Sequence, residues 1–196
     1  MCSRYDEPVR PMTPTRISLF AAFLMLVSCA YLRPQHISTA KLSEAEIEEI
    51  RENGVFPDLR IKSYTKFVEQ RAMHIKSLTG RPKSAQRVLQ LDSGLQDLTA
   101  LMDELGSNLD QYSDRHADLR KSLKELSEAS SRWVKILRSL PGESGFDVSR
   151  KEAIESGEEL ADQASRLLKE QTEYFATHKE EKGQERGDPA LEAKPQ

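Results

Sequence analysis

The residues best suited to chemistry are few and scattered. The four histidines stand at His36, His74, His116 and His178, and the two cysteines at Cys2 and Cys29, so no CxxC pair or zinc-finger spacing exists. A di-iron helical bundle needs Glu-x-x-His on two helices to project both ligands inward, and no Glu-x-x-His occurs. The zinc-protease His-Glu-x-x-His, the Gly-x-Ser-x-Gly elbow and a phosphate-cradling glycine loop are missing as well. The sequence therefore predicts a protein that is not an enzyme, with no metal and no cofactor. A net charge of -3 gives no general attraction to nucleic acid, and no nucleic-acid partner is expected.

One charged stretch could bind anions. Arg60, Lys62, Lys66, Arg71, Lys76, Arg81, Lys83 and Arg87 stand against the single acid Glu69, a candidate patch for lipid-headgroup phosphates or an anionic envelope polymer. The competing reading needs no ligand. Residues 92–118 carry seven acids against Arg115, and an antiparallel turn at residues 80–83 would lay the two blocks side by side. By the same logic Arg132, Lys135 and Arg138 would face Glu152 and Glu155 across the loop at 141–146, although an exposed pair contributes only about 0–1 kcal/mol.

Cys29 closes the apolar run "LFAAFLMLVSCAYL". Its apolar part, residues 17–27, is about 11 residues long, whereas a helix crossing a bilayer needs roughly 20. Arg10 and Arg16 precede it and small residues follow, the layout of a secretory signal. Leu26-Val27-Ser28-Cys29 resembles the lipobox of bacterial lipoproteins. That resemblance implies cleavage before Cys29, a diacylglycerol on its sulfur, a mature chain without a disulfide, and a membrane as partner through the lipid. Ala30, where an aspartate often marks inner-membrane retention in such lipoproteins, tilts the expected location towards the outer membrane. Ser28-Cys29-Ala30 also fits an ordinary cleavage after Ala30, giving a secreted or soluble periplasmic protein, and an uncleaved anchor is the third alternative. The acids and prolines before Met12 suit a signal poorly, so Met12 is the expected initiator.

The elements that follow read as helical. Ser43 with Glu46 forms a capping box, and Asn53-Gly54 stops the short acidic helix it opens. Residues 58–79 place Ile61, Tyr64, Val68, Ile75 and Leu78 on one face. Gly80-Arg81-Pro82 ends that helix, with the proline at or near the start of the next. Steps of three and four from Val88 then reach Leu91, Leu95, Leu98, Met102, Leu105, Leu109, Tyr112, His116, Leu119, Leu123, Leu126, Ser130, Trp133, Leu137 and Leu140. This is a sustained heptad.

Helical throughout, residues 88–140 would span about 80 Å at 1.5 Å per residue. The unbroken phase across Gly106-Ser107-Asn108 favours continuity over a break there into four helices in two hairpins. Uncharged flanks such as Leu101, Ala129, Val134 and Ile136 widen the stripe and call for more than one neighbouring helix. Ser149 with Glu152 reads as a second capping box, opening a helix whose face runs through Ile154, Ala161, Ala164, Leu168 and Phe175. Within the seam, His116 could serve as a metal or pH site, and Tyr112 and Trp133 could line a pocket, but core packing is the commoner fate of each.

The fold class is thus all-α: an elongated antiparallel bundle of three to four helices with coiled-coil-like packing along 88–140. The domains run 1–28 signal peptide, 29–57 lipidated start, tether and short helix, 58–180 bundle, and 181–196 disordered tail. A structural or interaction role, towards an envelope protein or a second copy, is expected. The alternative is a periplasmic binding or sensor module admitting a small ligand, a metal or an unfolded chain.

Overall fold

The computed structural model describes residues 41–179, residue 116 excepted. The signal, lipobox and tail assignments, and His116, lie outside the described residues. Five helices follow in order: α1 (Glu44–Glu52), α2 (Pro57–Thr79), α3 (Ala85–Asp114), α4 (Arg120–Arg138) and α5 (Asp147–Thr177). The protein is an all-helical bundle.

Local chemistry explains most of the ends. The Ser43 hydroxyl accepts from the Glu46 N–H while the Glu46 carboxylate accepts from the Ser43 N–H, the expected capping box. Pro57 sits in the first turn of α2, where its missing N–H costs nothing, and Gly80 caps the other end. Ser84 caps α3 by accepting from the Arg87 N–H, so Pro82 lies in the turn and not in the helix.

The helices pack as a ring in the order α2, α3, α5, α4, with α1 against α2 alone. Two hairpins, α2–α3 and α4–α5, are antiparallel, as Tyr64 with Glu104 and Arg138 with Glu158 show. The chain then crosses the bundle's diagonal between α3 and α4. The crossing leaves two parallel neighbours: α3 beside α5, where Asp92 meets Ser149 and Asp103 meets Ser156, and α2 beside α4, where Glu69 meets Trp133.

The heptad seam is the core. Leu91, Leu95, Leu98, Met102, Leu105, Leu109, Tyr112, Leu119, Leu123, Leu126, Ser130, Trp133, Leu137 and Leu140 are all buried. They pack with Ile61, Tyr64, Val68, Ile75 and Leu78 of α2. Each seam helix touches two others, as the uncharged flanks required.

The seam is not one rod, however. α3 runs through Gly106 without interruption and ends at Asp114, and α4 begins at Arg120. Ala117 and Leu119 stay buried in that connection, so the three-and-four spacing passes through it without helical continuity. Four helices in two hairpins result, broken about two and a half helical turns beyond the glycine.

Two expectations for α5 change. Phe146 is its N-cap, with no side-chain capping bond, and the Ser149 hydroxyl donates to Asp92 across the helix pair instead. Its buried face runs through Ala153, Gly157, Leu160, Ala164, Leu167 and Phe175; Ile154, Ala161 and Leu168 are only half-buried. The face is rotated because α5 must meet α3 and α4 at once, and small or polar residues make that close approach.

Candidate functional site

The cationic stretch is spread over α2, the α2–α3 turn and the first turn of α3. Lys62 pairs with Asp58 at 2.8 Å within α2, and Lys66 with Glu49 of α1 at 2.7 Å. Arg71 holds the Glu46 carboxylate with both terminal nitrogens, at 2.8 and 3.0 Å, and donates to the Lys41 carbonyl at 3.1 Å. Both α1 carboxylates respond. The Arg71 hydrogen bonds hold Glu46 down to about 2, and Lys66 lowers Glu49.

At the far end Arg87, itself buried, places one nitrogen 2.7 Å from each oxygen of Glu143, with Lys83 at 3.8 Å. The Arg87 guanidinium beside Glu143 keeps that carboxyl below its ordinary range. This pair ties the opening of α3 to the α4–α5 loop. Arg60 lies over the Tyr112 ring, 5.9 Å from its centroid, while Lys76 and Arg81 are exposed.

The described ion pairs of Lys66 and Arg71 therefore run to α1, and not to the acids of α3 that the charge pattern predicts. The reason lies in the ring order. Asp92, Asp103 and Asp110 of α3 turn towards α5: Asp92 and Asp103 accept from the hydroxyls of Ser149 and Ser156 at 2.6 Å, and Asp110 accepts from the Gln163 amide at 2.7 Å. Of the acidic block, Glu104 does meet α2, accepting from the Tyr64 hydroxyl at 2.5 Å. Burial foremost, and then Glu104, pushes the Tyr64 hydroxyl up to about 12. Across the second hairpin Arg138 meets Glu158 at 2.5 Å, about a turn beyond the expected Glu155.

Ser149, Ser156 and Gln163 stand seven residues apart, a polar heptad hidden beside the apolar one. The Gln163 amide also donates to the Gly106 carbonyl at 3.0 Å. A Cβ at residue 106 would come within 3.0 Å of the Gln163 side-chain oxygen, so the glycine leaves room for that approach. Gln171 continues the series one residue out of step. It is only 6% exposed, accepts from the Leu119 N–H and donates to the Ala117 carbonyl, both at 2.9 Å. The ladder fixes the parallel register of α3 and α5. Its sequence signal is the seven-residue recurrence of polar groups among alanines and glycine.

Between α3 and α5 an open groove of about 560 Å³ is lined by Asp103, Gly106, Asp110, Ser156, Gln163 and Arg166 among others. Tyr112 and Trp133 line no such groove: both are buried in the core, and the Trp133 indole N–H donates to Glu69 at 2.5 Å. The Ser130 hydroxyl turns back onto the Leu126 carbonyl at 2.8 Å, leaving its layer small next to Trp133. His74 is exposed on α2, whereas His178 stacks on Tyr174 at the end of α5, so the structure does not bring these two together. Among the described residues no group of three or more His, Cys, Asp or Glu is placed to hold a metal ion, and no helix is long and apolar enough to cross a membrane. The chain matches no protein-family model, no curated protein and no solved structure.

Proposed function

We propose that this chain is a bacterial envelope lipoprotein with a structural or protein-interaction role and no bond-making step. The observation that carries the reading is Leu26-Val27-Ser28-Cys29 at the end of an apolar run too short to span a bilayer, with Arg10 and Arg16 before it. Diacylation of Cys29 would supply the membrane anchor, since two acyl chains hold a protein stably where one does not. Ala30 after the cysteine favours the outer membrane. The bundle supports a spacing or docking role. Its core is filled by its own side chains, and its long helices offer lateral surface to an envelope protein or a second copy.

A periplasmic binding module is the second reading, and the open α3–α5 groove is the observation in its favour. A ligand that binds only the folded state raises the thermal midpoint by mass action, so a panel of metals and small ligands that leaves the midpoint unmoved counts against it.

Mass spectrometry of the N-terminal peptide, from protein recovered in a bacterial membrane fraction, tests the first reading. Cys29 as the first residue with a diacylglycerol is the expected result. Tyr31 first, or an intact residue 1 or 12, overturns the lipid anchor.

A further inference from the structure

α1 is held differently from the other helices. It has nine residues, and isolated helices below about 12–15 residues are marginal in water. It packs on α2 alone and buries one side chain of its own, Ile50, at 9% exposure. The described polar bonds that fasten it are Arg71 on Glu46, Lys66 on Glu49, and the Asn53 amide donating to the Ser63 hydroxyl at 3.0 Å; Lys41, just ahead of it, reaches Asp97 at 3.7 Å. Five glutamates against Arg51 give α1 a net charge of -4. A segment with so little apolar burial and so many exposed polar contacts belongs to the low end of a protein's range of local opening energies.

We infer that α1 is an acidic cover over a cationic face of α2, and that an anionic lipid surface displaces it. Glu46 stands where a headgroup phosphate would go: a planar guanidinium fork grips a phosphate with the same two parallel N–H bonds it gives a carboxylate. Lys66 supplies a second cation at the position Glu49 now fills.

Exposed apolar groups at the α1–α2 corner and on α1 itself point to a lipid surface and away from a soluble anion. Phe56 at 44% exposure, with Val55 and Leu59, forms the α1–α2 corner, and Ile47 of α1 is 52% exposed. Aromatic and aliphatic side chains beside cations are the composition that settles at a bilayer interface. Because phosphate and cover compete for the same guanidinium, the lipid binds the open state alone and shifts the population towards it. The inference rests on the envelope reading only for the presence of a bilayer.

The test uses the full chain with Cys2→Ser and Cys29→Ser, so that its outcome is independent of lipidation, and with Asn53→Cys and Ser63→Cys as a reversible clamp between α1 and α2. Hydrogen exchange of the α1 amides is followed on phosphatidylcholine vesicles with and without phosphatidylglycerol. The apolar run at 17–27 and the arginines beside it are common to the reduced and the oxidised chain, which leaves the clamp-dependent part of the headgroup difference as the readout. With the clamp reduced, exchange should be roughly tenfold faster on the anionic vesicles, the size expected of a modest population shift. Oxidation should remove that acceleration and reduction restore it, and inorganic phosphate at equal ionic strength should give none.

Equal exchange on both vesicles, acceleration by phosphate alone, or acceleration that survives the oxidised clamp would each overturn the inference. Should the clamped chain misfold, Lys66→Gln with Arg71→Gln gives a second reading. It should speed α1 exchange on all vesicles and abolish the difference in α1 exchange between anionic and neutral ones; a difference as large as in the parent would sink the idea.

Discussion

Gln171 of α5 holds the backbone of Leu119 at 2.9 Å, fifty-two positions earlier in the chain. Leu119 is the N-cap of α4 and has no side-chain cap of its own. The long amide does what the N3 glutamate of a capping box would do locally, accepting from the N-cap N–H, and its other end serves the Ala117 carbonyl. Asp118, bridged to Arg120 at 2.8 and 2.6 Å, and Arg120, lying 4.7 Å over the Phe175 ring, complete the junction. Replacing Gln171 by Leu keeps the volume but leaves two buried backbone groups unpaired, at about 1–3 kcal/mol each. Urea unfolding followed by the emission of Trp133, the single tryptophan and fully buried, should show the loss; a change within error would mean that water serves the junction equally well.

Leu123 lies on the seam with no exposed surface, and Leu119 is nearly as deep. Truncating either to Ala should destabilise the bundle by about 2–5 kcal/mol, the range for buried leucines. The check is the same unfolding curve, and a loss below about 1 kcal/mol would show that the site collapses around the missing atoms.

Gly145 offers a steric prediction. A Cβ there would overlap the Val88 Cγ1, and a β-branched valine has little freedom to turn away. Gly145→Ala should therefore cost about 1–3 kcal/mol, as overpacked sites do. Combining it with Val88→Ala should recover part of that loss. Simple additivity of the two changes would place the cost elsewhere than in this contact.

The Glu46–Arg71 pair gives a pH dependence whose sign is fixed. Glu46 is lowered from 4.5 to about 2 in the folded chain, chiefly by the Arg71 hydrogen bonds. A carboxyl depressed in this way stabilises the fold above its unfolded pKa, and the contribution is lost as pH falls from there through the folded value. Between about pH 6 and about pH 3 the protection of the α1 amides should fall, in the same direction as the loss from Glu49. Glu46→Gln should lower that protection at the upper pH and flatten its decline. A decline as steep in the variant as in the parent would assign the dependence to other carboxylates.

The apolar seam was legible because a single rule, three and four residues apart, holds from Leu91 to Leu140. The capping box of Ser43 and Glu46 was legible for the same reason: both partners are neighbours in sequence. The break between Asp114 and Arg120 was not, because it contains neither glycine nor proline and its stabilising group, Gln171, comes from another helix. Charge sums placed the hairpins side by side but could not say which way each carboxylate turns, and the acids of α3 turn to α5. The buried side of α5 escaped for a further reason. Ser149, Ser156 and Gln171 are buried only because partners on other elements satisfy them, and no pattern within α5 names those partners.

The diagonal crossing also orders the events of folding. The two hairpins close over short turns at residues 80–84 and 139–146, whereas Asp92 with Ser149 joins positions 57 apart. Closing a long loop costs chain entropy that grows with the logarithm of its length, so the hairpins form before their mutual faces meet. The serine and glutamine rungs between α3 and α5 are then among the last bonds made. A pair of hairpins that docked one turn out of place would strand those hydroxyls and carboxylates without partners. The ladder thus acts as a proofreading step, admitting the single alignment in which every rung finds its mate.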